Sequence, residues 1–182
     1  LIVAFTYIVL AFGVALYFES QATTTILFVR HADIDNPGTV TGDPPLNAAG
    51  RARADLLARF LRSIDVVAGV DAIYATAARR TRQTAEPLAE RLNLAVETAD
   101  PYDVTPFMQR VLREHKGEIV LIVTDRDAIA PLIEELHGSK NVPQIAPDEY
   151  DDLYVVTIPW GGGTKVKTLR LLYGLGWQPP RT

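Results

Sequence analysis

From Thr23 to Tyr173, short apolar runs alternate with stretches of helical periodicity, and this alternation restricts the fold more than any other feature of the chain. Thr25–Arg30 (TILFVR) reads as a buried strand. Ala48–Ser63 reads as a helix, with Leu56, Leu57, Phe60 and Leu61 on one face and arginines on the other. Asp71–Thr76 is a second strand, Arg79–Leu92 a second helix, Ala95–Thr98 a short strand and Thr105–Glu114 a third helix. Glu118–Thr124 (EIVLIVT) is the clearest buried strand, followed by a helix over Ala128–His137 that Gly138 stops. Leu153–Pro159 and Lys165–Tyr173 flank Gly161-Gly162-Gly163 as a hairpin. The pattern predicts an α/β fold of three layers (αβα) around a mostly parallel sheet. It forms one domain over residues 23–182, because no repeat, linker or low-complexity tract divides it.

Composition narrows the chemistry. Among 182 residues there is no cysteine, which excludes disulfides, thiol catalysis and thiolate-bound zinc or iron–sulfur centres. The net charge of −4 argues against nucleic acid as a partner. Three histidines, His31, His115 and His137, leave little scope for a metal site, so neither a metal nor a cofactor is expected. His115 and His137, near helix ends, read as surface residues.

At the other end of the chain, Leu1–Phe18 contains no charge, and the first charged side chain is Glu19. As a helix this run approaches the roughly 30 Å thickness of a bilayer core, so residues 1–19 are expected to form a transmembrane anchor. Ser20-Gln21-Ala22 offers the alternative of a cleaved secretory signal. No Lys or Arg follows before Arg30, which favours a periplasmic or otherwise extracytoplasmic domain. A single membrane span in turn suggests other membrane protein subunits as partners.

Ligands of open α/β sheets sit beyond the carboxyl ends of the strands. There the sequence places Arg30-His31, then Arg79-Arg80, then Thr124-Asp125-Arg126-Asp127. Two arginines converging on a histidine make a pocket for a phosphate-type anion, in which a neutral imidazole can act as nucleophile.

VRHAD (Val29–Asp33), DPPLNAAGRARA (Asp43–Ala54) and YATAARRTRQTAEPLAERL (Tyr74–Leu92) resemble the histidine phosphatase superfamily, the phosphoglycerate-mutase-like fold. The resemblance continues through Pro101–Asp103, Val120–Leu136 and Asp148–Ile158, covering residues 24–174. It implies that His31 becomes phosphorylated and that Arg30 and Arg80 bind phosphate, with Arg79 in support. It also implies that Asp33 or Asp103 protonates the leaving group.

One position departs from the family pattern. The second pocket histidine of the family falls in a segment that here reads Val123-Thr124-Asp125-Arg126-Asp127, with Asp125 in its place. An ionised carboxylate accepts hydrogen bonds but donates none. Two unit charges about 4 Å apart interact by roughly 4 kcal/mol at an effective dielectric near 20, or about three orders of magnitude in rate. The expectation is therefore a membrane-anchored, catalytically impaired pseudo-phosphatase serving as an accessory subunit. The alternative is an active extracytoplasmic phosphomonoesterase that works through phospho-His31. Asp125 paired with Arg30 or Arg80 would close the pocket to anions, whereas Arg126 swung inward would restore its positive charge.

Overall fold

A computed structural model describes residues 2–20, 22–35, 42–64, 69–160 and 165–174. The elements are helix α1 (Ile2–Ser20), strand β1 (Thr23–Arg30), α2 (Ala48–Ile64), β2 (Ala72–Ala75), α3 (Arg79–Leu92), β3 (Val96–Thr98), α4 (Val104–Glu114), β4 (Ile119–Thr124), α5 (Arg126–Glu135), β5 (Asp152–Pro159) and β6 (Lys167–Leu172). One six-stranded sheet runs in the order β3-β2-β4-β1-β5-β6. Its first four strands are parallel, while β5 pairs antiparallel with both β1 and β6, so the sheet is mixed. The Gly161–Gly163 turn expected between the last two strands lies outside the described residues.

Strand alternation explains the layers. Ile26, Phe28, Tyr74, Val120 and Ile122 face one side, where they pack with Phe107, Met108 and Val111 of α4 and Ile129, Leu132 and Ile133 of α5. Their neighbours Leu27, Val29, Ile73, Leu121 and Val123 face the other side, against Leu57, Ala58 and Leu61 of α2 and Ala85 and Leu88 of α3. Strands buried on both faces read as continuous apolar runs, which is why EIVLIVT stands out in the sequence.

The chain after β1 is anchored from behind. Asn47 caps α2, its Oδ1 accepting from the Gly50 N–H at 2.8 Å, and its own N–H donates to the Asp33 carbonyl at 3.1 Å. A Cβ at Gly50 would lie 2.1 Å from that carbonyl, so only glycine lets α2 approach so closely. Asp33 is bound through both carboxylate oxygens by Arg53 of α2.

The expected transmembrane helix is not found. Among the described residues no helix is long and apolar enough to cross a membrane. Helix α1 has 19 residues, a length of about 28 Å, and these include Glu19 and Ser20. The membrane anchor, the periplasmic placement inferred from it and the membrane-subunit partners are withdrawn with it, and so is the accessory-subunit function built on them.

Candidate active site

β1 and β4 are neighbours, so the residues following them meet: the His31 N–H donates to the Thr124 carbonyl at 3.0 Å. His31 is buried, and its Nδ1 lies 2.8 Å from the Ala32 carbonyl. A carbonyl only accepts, so Nδ1 carries the proton and Nε2 keeps its lone pair. Burial lowers the imidazole pKa from 6.5 to about 4. Arg30 and Arg80 act in the same direction, while the Ala32 hydrogen bond and Asp125 oppose them. The ring is therefore neutral near pH 7. Thr84 of α3 holds the next peptide, accepting from the Ala32 N–H at 2.9 Å and donating to the Arg80 carbonyl at 2.7 Å. This single hydroxyl ties the His31 loop to the helix that carries Arg80.

Arg80, in the first turn of α3, directs Nε (2.9 Å) and Nη2 (2.7 Å) onto Asp125 Oδ1. That same oxygen lies 3.6 Å from His31 Nε2. The structure thus brings His31, Arg80 and Asp125 together, with the carboxylate between the unprotonated Nε2 of His31 and the guanidinium fork. Asp125 is also the N-cap residue of α5, which starts two residues earlier than its periodicity predicts.

Arg30 is buried and differently engaged. Its Nη1 donates to the carbonyls of Ala146 (2.9 Å) and Glu149 (2.7 Å), and its guanidinium stacks 4.0 Å over the Tyr150 ring. Its Nε is buried with no hydrogen-bond partner, an orphaned donor beside His31. Burial pushes this guanidinium below its usual pKa.

The other nominated residues lie apart. Arg79 is exposed, and its backbone N–H donates to Asp43 Oδ1 at 2.8 Å. Asp33 is committed to Arg53. Asp103 sits at the N-cap of α4 without a side-chain cap bond, on a cavity of about 250 Å³ shared with Asp100, Phe107 and Arg110. Arg126 pairs with Asp127 at 3.2 Å and lies close enough to Arg30 to help lower its pKa. Among the described residues no group of three or more His, Asp or Glu side chains is arranged to hold a metal ion.

Two tyrosines join the site that sequence reasoning did not nominate. The Tyr102 hydroxyl donates to Asp125 Oδ2 at 3.2 Å, and Tyr150 stacks on Arg30 with its ring centroid 5.9 Å from that of His31. Tyr150 stood within the quoted Asp148–Ile158 segment and Tyr102 within Pro101–Asp103, but no motif distinguished either from a packing residue.

Comparison with known proteins agrees with this geometry. Residues 26–101 match the family model of the histidine phosphatase superfamily (branch 1). Two curated relatives from Mycobacterium tuberculosis strains, the uncharacterized proteins Rv0525 and MT0547, are each 40% identical over 82 residues, 43% of this chain and 38% of the relative. The matched region thus spans well under half of these relatives' length. Among solved structures, the protein histidine phosphatase SixA complexed with tungstate aligns with a TM-score of 0.62 at 20% identity, covering 82% of this chain and 97% of that one. Mycobacterial glucosyl-3-phosphoglycerate phosphatase Rv2419c aligns with a TM-score of 0.64 at 15% identity, covering 82% and 98%. At these identities the structural matches speak to the fold, and the sequence match adds the segment that carries Arg30, His31 and Arg80. Residues 26–101 are thus similar to the histidine phosphatase superfamily, and the fold is that of the solved phosphatases with which the chain aligns.

Proposed function

We propose that this chain is a phosphomonoesterase that works through a phosphohistidine at His31. The observation that carries this reading is the state of the imidazole. It is buried and neutral, its Nδ1 proton is held by the Ala32 carbonyl, and its Nε2 lone pair faces the guanidinium of Arg80 across Asp125 Oδ1. The fold shared with phosphatases is consistent with that chemistry.

In the proposed reaction a phosphoryl group takes the seat that Asp125 Oδ1 now fills. Its oxygens accept from Arg80 and from the orphaned Arg30 Nε. Nε2 attacks phosphorus in line, a P–N bond forms as the P–O bond to the leaving group breaks, and the departing oxygen takes a proton from solvent. The Nδ1–H bond to Ala32 stabilises the positive charge that develops on the ring. Water then attacks phosphorus, the P–N bond breaks, and inorganic phosphate leaves with His31 restored.

The test uses the full chain with p-nitrophenyl phosphate and a radiolabelled phosphate donor. Turnover accompanied by an acid-labile, base-stable phosphoramidate on His31, both absent in His31→Ala, is the expected result. Absence of turnover, or turnover that survives His31→Ala, overturns the proposal.

A further inference from the structure

Binding of a phosphoryl group at Arg80 has a consequence for Asp125. Asp125 Oδ1 accepts from Nε and Nη2 of Arg80 and lies 3.6 Å from His31 Nε2, so a phosphoryl group bonded to Nε2 and held by those two N–H groups takes the place of that carboxylate. Both side chains are largely shielded, at 14% exposure for Arg80 and 19% for Asp125. A carboxylate released there with no new partner is left as an uncompensated charge in a poorly hydrated place.

The neighbouring cations are engaged elsewhere. Arg30 is held by two carbonyls and the Tyr150 ring, and Arg126 by Asp127. Tyr102 gives Asp125 one neutral hydrogen bond, which does not balance its charge. Tyr102, itself 61% exposed, meets Asp125 through its hydroxyl, so an aromatic ring stands one hydroxyl away from the carboxylate, and the two groups together suit an ammonium ion.

We infer that the site selects phosphate monoesters whose leaving group carries a cationic amine, so that binding exchanges one ion pair for two. The phosphoryl group takes Arg80 from Asp125, and Asp125, with the Tyr102 ring beside it, takes the ammonium of the substrate. An ester with an uncharged leaving group completes only half of that exchange. This inference rests on the phosphatase reading above for the position of the phosphoryl group, and it adds the class of substrate.

The experiment compares O-phosphoethanolamine with n-propyl phosphate, which has the same shape with a methyl group in place of the ammonium. Both are tested with the full chain, for hydrolysis and for equilibrium binding by calorimetry. At least a tenfold preference for the amine in kcat/KM is expected, falling to within about twofold in Asp125→Asn and weakening in Tyr102→Leu. A ratio near one in the parent protein, or a preference that both substitutions leave intact, overturns the inference. Should neither ester be hydrolysed, the phosphatase reading fails on its own. The binding ratio then decides the inference by the same criteria: at least tenfold tighter binding of the amine sustains it and equal binding sinks it.

Discussion

His31 and His115 are both shielded imidazoles beside the same sheet, and their ring nitrogens end in opposite situations. His115 spends both. Its Nδ1 donates to Glu118 at 2.7 Å, and its Nε2 is hydrogen-bonded to the Tyr74 hydroxyl at 2.8 Å. Burial and then the charge of Glu97 push the tyrosine up to about 12, so the hydroxyl keeps its proton at any ordinary pH. The His115 carbonyl in turn accepts from Thr24 Oγ1 at 3.1 Å, so the residue locks the end of α4 to β1 and β2. His31 spends one nitrogen on a carbonyl and leaves the other facing charged groups. Burial alone does not make a histidine reactive; what counts is whether a lone pair remains and what it faces. His115, expected at the surface, is instead a partly buried fastening.

The largest effect expected from this contrast is a split between the two alanine variants. His31→Ala removes the nucleophile and should lower turnover by about three orders of magnitude or more, with the fold intact by circular dichroism. His115→Ala removes the bonds to Tyr74 and Glu118 and should cost about 1–3 kcal/mol in urea unfolding, with turnover within about threefold of the parent. Equal loss of turnover in both would mean that the nitrogen count does not separate their roles.

The same contrast can be drawn along α3. Arg80 points into the site, whereas Arg91, three turns on, pairs with Asp55 at 2.7 Å on the exposed surface. Removal of a group that stabilises transition-state charge costs on the order of 10²–10³ in kcat, and Arg80→Ala should fall in that range. An exposed ion pair is worth about 0–1 kcal/mol, so Arg91→Ala should leave kcat unchanged and stability nearly so. Measuring kcat and the unfolding midpoint for both variants sharpens the comparison, and a kcat loss in Arg91→Ala would contradict it.

Gly50 tests the support behind His31 and has no counterpart at His115. A methyl group there meets the Asp33 carbonyl at 2.1 Å, against backbone that also accepts from Asn47. Gly50→Ala should therefore cost about 1–3 kcal/mol, the usual penalty of overpacking, despite the higher helix propensity of alanine. Because the displaced backbone is only two residues from His31, turnover should fall as well. A stabilised and fully active Gly50→Ala protein would show that the close approach is not needed.

The strand and helix positions were legible because both faces of the sheet are buried. Continuous apolar runs therefore mark β1 and β4, and one-sided periodicity marks α2 to α5. The ends of elements were less so: α5 begins at Arg126 because Asp125 takes the N-cap position, and it ends at Glu135 rather than reaching His137, whose φ is 57°. The N-terminal run misled because an absence of charge is necessary for a membrane span but not sufficient: among the described residues no helix is long and apolar enough to cross a membrane. At the site, Arg30, His31, Arg80 and Asp125 stood out because each follows a strand at the same edge of the sheet. The partners of Arg30 did not, since its carbonyl contacts lie 116 and 119 residues away and use main-chain atoms that any residue supplies. Tyr102 was hidden likewise, because its role is defined by Asp125 across 23 residues rather than by its own sequence context.

The smallest expected effect is the titration of His31 itself. Its folded pKa, near 4, lies below the 6.5 of the free side chain, so between those values the unfolded chain binds a proton that the folded chain refuses. Stability from this residue is fully present above pH 6.5, declines as pH falls through the window, and declines no further below about 4. Between pH 7 and pH 5 the folded ring should hardly change, and its carbon-bound protons in an NMR titration should stay at the neutral position with a midpoint near 4. A midpoint near 6.5 would mean that the ring is not desolvated by its pocket, and the argument that Nε2 is a standing nucleophile near neutral pH would lose its basis. Arg80→Ala offers a further check, because removing a cation beside the ring should move the midpoint upward, toward the free value.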